Sequence, residues 1–168
     1  DICPSRGLGD VYKRQDEVYE RLISSLEKSL VNLNMERVDL FLLHSQLRQD
    51  DFQLYTLNEH RETNTTSLSC YYNAVIPAFE RLKQEGKIGG WGIGGLGQNQ
   101  AILEVLNHEI QPEAIQCVVN PLNSAGAIGY VDQDFDPQKI LTESQKVGIP
   151  ILGIRAVQAG ALTLKMDR

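Results

Sequence analysis

At 168 residues, 42% of them hydrophobic, the chain can bury one sizeable core but not two. A net charge of -6, with Lys and Arg scattered along the chain, offers no basic stripe for a phosphate backbone, so no nucleic acid partner is expected. The three cysteines, Cys3, Cys70 and Cys117, have neither CxxC nor CxxH spacing, which suggests no disulfide framework and no metal site, and no apolar run approaches the roughly 20 residues of a membrane span.

The first fifteen residues, DICPSRGLGDVYKRQ, lack an apolar period and resemble translated adapter sequence of the kind found at the broken ends of genes. Residues 1–15 are therefore expected to be an artefactual or disordered leader, and residues 16–168 a fragment of one domain. From Asp16 to Asn34, Val18, Leu22, Leu26, Leu30 and Leu33 recur at helical spacing. Val38 to Leu43 is a nearly continuous apolar run, the pattern of a strand buried on both faces of a parallel sheet, and it ends in His44. Residues 45–70 are polar and without period, which predicts a long loop; it either shapes a substrate pocket or is a tolerated insertion. A second helix carries Val75, Ile76, Phe79 and Leu82 on one face and is capped by Gly86.

The unit then repeats. Lys87 to Ile93 reads as a strand, Gln98 to His108 as a helix and Ala114 to Val119 as a strand. Asp136 before Pro137 marks a helix start, because an Asp cap accepts the free amide hydrogens and proline suits the first helical position. Gly148 ends that helix, Ile149 to Ile154 is a fourth strand, and Ala161 onward opens a further helix. Strands alternating with helices require right-handed crossovers and a parallel α/β sheet. In a barrel of such units the reactive groups gather at the carboxyl ends of the strands. Here those positions are His44–Gln46, Gly94–Gly97, Asn120–Asn123 and Arg155–Gln158.

Four stretches resemble one family in order and spacing. Leu26-Glu27-Lys28-Ser29-Leu30 followed by Glu36 to His44 is similar to the SLxxLxxDxxDLxxxH segment of the aldo-keto reductases, and Phe79 to Ile88 resembles their LxxLKxxGKIRxIGVS stretch. Ile115 to Asn120 looks like their VxQxxYN strand, and Gly148 to Arg155, running on to Leu162, looks like the seventh strand and the GxL after it. The resemblance implies a partial (β/α)8 TIM barrel, about strands 4 to 7 with their helices. It also implies an oxidoreductase that moves hydride between NADP or NAD and a small-molecule carbonyl or alcohol substrate, in the cytoplasm. His44 matches the histidine that orients and polarises the substrate carbonyl, and Gln116 the glutamine that hydrogen-bonds the nicotinamide carboxamide. A strand-capping histidine and a glutamine bonded to a neighbouring strand are the plainer readings of the same residues.

The departures narrow the assignment to a divergent subgroup. Gly94-Gly95 stands where the family commonly has Ser-Asn, so cofactor contacts there would come from backbone amides; Ile154 and Arg155 stand where a stacking tyrosine and a serine are common. Arg155 offers a planar donor to a cofactor phosphate or to a nearby carboxylate. The family's proton-donating tyrosine, with its lysine and aspartate, matches no position here, so the isolated chain is expected to be inactive. Two alternatives stand beside the reductase: a non-catalytic binding or regulatory subunit on the same fold, and a Rossmann dinucleotide site on Gly92, Gly94 and Gly97. Oligomeric state is left open.

Overall fold

The computed structural model describes residues 8–52, 64–124, 135–160 and 162. Helix α1 (Leu8–Leu33) leads into strand β1 (Val38–Leu43). It starts at Leu8, ahead of the Asp16 read from the sequence, because no proline interrupts residues 8–15 and a helix once nucleated by its amphipathic part extends at little cost. Val18, Tyr19, Ile23 and Leu26 lie buried on its inner face, whereas Leu33 at the end of the expected stripe is exposed.

The segment expected to be a plain loop holds regular structure. Strands β2 (Gln46–Arg48) and β3 (Thr65–Ser67) pair in parallel, and a short helical turn α2 (Leu68–Cys70) follows. These strands are polar yet buried, held by side-chain hydrogen bonds such as Thr66 Oγ1 to Ser45 Oγ at 2.8 Å and Arg48 Nε to Thr65 Oγ1 at 3.1 Å. Polar burial of this kind leaves no hydropathy signal, which is why the sequence reads as a loop. A π-helical stretch, Tyr71–Val75, joins α2 to α3 (Ile76–Gln84), with Pro77, which has no N–H to donate, in the first turn of α3.

Strand β4 (Ile88–Gly94), helix α4 (Asn99–Leu106), strand β5 (Ala114–Val118), helix α5 (Pro137–Val147) and strand β6 (Ile151–Ile154) complete the order, with a 3-10 turn at Gln158–Gly160. The punctuation is as the sequence suggests. Gly86 ends α3 at φ 72°, and the amide of Lys87 donates back to the Leu82 carbonyl at 3.1 Å. The Asp136 carboxylate accepts from the Gln138 amide at 3.0 Å at the start of α5, and Gly148 closes that helix at φ 77°. The helix expected from Ala161 lies outside the described residues.

The main sheet runs β1-β4-β5-β6, and each neighbouring pair is parallel. Among the described strands the order follows the chain without reversal, leaving no switch point of the kind at which a Rossmann fold opens its nucleotide crevice. The Rossmann alternative on Gly92, Gly94 and Gly97 is therefore set aside. One face of the sheet is covered by helices: Phe79 of α3 stacks on Trp91 at 5.3 Å and meets Phe41 edge-on at 5.9 Å, and the Cys117 thiol reaches the Pro137 carbonyl of α5. By strand alternation the opposite, inner face carries Leu40, Leu42, Gly90, Gly92, Gly94, Ala114, Gln116, Leu152 and Ile154. A Cβ on Gly92 would collide with the Ala114 carbonyl, so glycine there lets β4 and β5 approach closely.

Outside the sheet, the buried Tyr19 hydroxyl donates to Glu85 Oε2 at 2.6 Å, and the Arg81 guanidinium sits 3.7 Å over the Tyr19 ring. Burial first, and then the Glu85 carboxylate, pushes the Tyr19 phenol from 10.0 up to about 12. A raised value favours the neutral phenol in the folded state, so the stability is complete below pH 10.0 and falls as pH rises towards about 12. Thermal midpoints measured across that window are expected to drop, and to drop less steeply in Tyr19→Phe, which has no phenol to ionise there.

Candidate active site

The carboxyl ends of β1, β4, β5 and β6 form one rim, because all four strands run in the same direction. His44 follows β1 directly, two residues beyond Leu42, so continued alternation places it over the inner face. It is exposed, and among the described residues it has no hydrogen-bond partner. Gln116 lies within β5, half-buried, in register with Gly94 of β4 on one side and Leu152 of β6 on the other. Two strand spacings separate the lines of β1 and β5, so His44 and Gln116 stand on the order of 10 Å apart across the sheet. That gap is spanned by Gly94, where an added Cβ would have its nearest neighbour, the Leu43 carbonyl oxygen, at 3.5 Å.

Gly95 plays a different part. Its amide donates to the Gln116 carbonyl at 2.6 Å, and a Cβ there would lie 2.9 Å from the same oxygen. The Gly95 N–H is thus committed to extending the β4-β5 ladder, which leaves Gly94 as the more open of the two glycines.

Beyond β5 and β6 the rim is built by two interlocked turns. The Val119 amide donates to the Ile154 carbonyl at 2.9 Å, and Asn120 Nδ2 donates to the carbonyls of Ser124 at 2.8 Å and Arg155 at 3.4 Å. Asn123, Arg155 and Gln158 all adopt left-handed backbone, at φ 47°, 57° and 50°. Three non-glycine residues in that region at one rim are a concentration of strain of the sort found at binding sites. Arg155 is half-buried there. Gln158, 8% exposed, donates its Nε2 to the Ser124 carbonyl at 2.8 Å, while its Oε1 is buried without a partner among the described residues. Asn120 closes the VxQxxYN-like stretch, whereas Gln158 was only one of the rim positions; the roles of both here rest on turn geometry. Among the described residues no group of His, Cys, Asp and Glu could hold a metal ion, and no helix is long and apolar enough to cross a membrane.

The sequence model of the Aldo/keto reductase family matches residues 8–168. This chain belongs to the aldo/keto reductase family. A search of curated proteins finds no match. Among solved structures, a Bombyx mori aldo-keto reductase in complex with NADP superposes with a TM-score of 0.53 at 19% identity, covering 81% of this chain and 36% of its own. The aldo-keto reductase MGS-M4, from a Medee basin deep-sea metagenome library, gives 0.54 at 16% identity, covering 89% and 44%. A Klebsiella pneumoniae aldo/keto reductase in complex with NADP and acetate gives 0.50 at 22% identity, covering 83% and 39%. At these identities the likeness shows the fold, an arc of the (β/α)8 barrel, and the chain spans 36% to 44% of these three reductases.

Proposed function

We propose that the barrel to which residues 16–168 contribute is a cytoplasmic oxidoreductase that moves hydride between NADP or NAD and a small carbonyl or alcohol substrate. The observation that carries this reading is the placement of His44 and Gln116 on one rim and one face of the family's barrel arc, with Gly94 open between them. When bound, the nicotinamide supplies the hydride. The half-buried Gln116 amide can both donate to and accept from the carboxamide of the ring, which fixes the face presented to substrate. The His44 imidazole can donate N–H to the carbonyl oxygen as charge develops there. Arg155 and the Gln158 Oε1, which has no partner among the described residues, fit the polar remainder of a dinucleotide: the guanidinium suits a phosphate, and the amide oxygen suits a ribose hydroxyl. The tyrosine, lysine and aspartate that deliver the family's proton have no counterpart here, so the 168-residue chain alone is proposed to be inactive.

The test is cofactor affinity in the complete barrel. Gln116→Leu keeps the volume and removes one neutral hydrogen-bonding group, so NADPH titration should show binding weakened by about 5- to 15-fold, the equivalent of about 1–1.5 kcal/mol. Unchanged affinity, with a correctly folded variant, would assign Gln116 to strand packing instead.

A further inference from the structure

We propose that Asn120 is a positioning residue for the cofactor, holding Arg155 in its left-handed backbone so that the guanidinium is delivered to a phosphate. This role rests on the reading of Arg155 as the phosphate-binding cation. The turn after β5 is anchored on the start of α5: Asn123 Nδ2 donates to Asp136 Oδ1 at 2.8 Å, and Asn123 Oδ1 accepts from the Gln138 amide at 2.9 Å. Asn120 braces the same turn from within, its Oδ1 accepting from the amides of Leu122 at 3.1 Å and Ser124 at 3.4 Å. Its Nδ2 reaches further. It donates to the Ser124 carbonyl at 2.8 Å and, 35 residues along the chain, to the Arg155 carbonyl at 3.4 Å.

The turn after β6 is held internally by short-range bonds, the Gln158 amide to the Arg155 carbonyl and the Gly160 amide to the Val157 carbonyl, both at 3.0 Å. It is tied to the β5 turn by the Val119 amide, by Asn120 Nδ2, and by Gln158 Nε2, which donates to the Ser124 carbonyl at 2.8 Å. Asn120 thus transmits the fixed position of the α5-anchored turn to the Arg155 peptide. Arg155 stands at φ 57°, where a side chain crowds the backbone and glycine is the ordinary occupant. A turn alone is met by glycine, as Gly86 and Gly148 meet it after α3 and α5. Here the strained position carries a half-buried guanidinium instead. A left-handed arginine sends its side chain in a direction that a right-handed one does not, so the bond from Asn120 sets where the cation points. Without it, Arg155 relaxes towards the right-handed region and the guanidinium swings off the phosphate.

The experiment is a double-mutant cycle on the complete barrel, with NADPH affinity measured by fluorescence titration at low and at high salt. Arg155→Gln should weaken binding by about 10-fold and flatten its salt dependence, because a charge-assisted contact is lost. Asn120→Ala should also flatten the salt dependence and weaken binding by about 5- to 10-fold, with no further loss in the Arg155→Gln background. Asn120→Ser keeps an oxygen for the Leu122 amide but is too short to reach the Arg155 carbonyl. It should match Asn120→Ala in affinity while its Trp91 emission and thermal midpoint stay close to those of the parent. Equal losses from Asn120→Ala in both backgrounds, an unchanged salt dependence, or full affinity in Asn120→Ser would each make Asn120 a structural brace only. Those results overturn the proposal and leave Arg155 on the phosphate. No effect of Arg155→Gln would remove the phosphate reading itself, and the role of Asn120 with it.

Discussion

Phe79→Ala is expected to lower the free energy of unfolding by about 3–5 kcal/mol. The ring is fully buried, lies parallel to Trp91 with centroids 5.3 Å apart, and meets Phe41 edge-on at 5.9 Å. It is the joint between α3 and the two strands that carry His44 and Gly94. Truncation removes its transfer free energy and leaves a cavity whose walls, a strand pair and a helix, cannot collapse freely. At the scale of a domain this size the thermal midpoint should fall by roughly 6–20 °C. Because Trp91 is the only tryptophan, its emission reports the site directly, and denaturant titration followed by that signal gives the value. A loss under about 1 kcal/mol would mean that the stacked pair is not part of the cooperative core.

His44→Ala should do the reverse, leaving stability alone and removing catalysis. The residue is exposed and has no hydrogen-bond partner among the described residues, so the thermal midpoint should change little, within about 0.5 kcal/mol. If its N–H meets the developing oxyanion, kcat in the complete barrel should fall by about 10²–10³-fold, or roughly 2.7–4 kcal/mol of transition-state stabilisation. NADPH affinity should hold, because the imidazole is assigned to substrate rather than cofactor. If His44 only ends a strand, kcat will be unchanged. If it holds the rim together, the thermal midpoint will fall along with activity.

The parts of the fold that were legible in the sequence are those where apolar patterning and turn chemistry agree. Val38–Leu43 is a strand with the bounds read, although it is not buried on both faces as its apolar run suggested, since only Leu43 is buried, and Asp136, Pro137 and Gly148 bracket α5 where capping chemistry puts them. What escaped was carried by polar groups. Thr65, Thr66 and Ser67 are buried and paired with Gln46–Arg48, yet their sequence looks like surface. The same division runs through the site. His44 and Gln116 stand in motifs, and the strand register brings them to one rim. The commitment of the Gly95 amide to the Gln116 carbonyl, the left-handed turns at Arg155 and Gln158, and a Gln158 oxygen without a partner among the described residues are tertiary facts that no local pattern records.

Hydride transfer on this rim can be followed atom by atom with isotope. The complete barrel that carries this chain is incubated with NADPH deuterated at the transferring position of the nicotinamide and with a panel of small aldehydes, and the alcohols are analysed by mass spectrometry. One deuterium is expected on the former carbonyl carbon, with transfer strongly reduced in His44→Ala. Tight NADPH binding with no deuterium in any product would contradict it, and would favour a barrel that binds nucleotide without catalysing its oxidation.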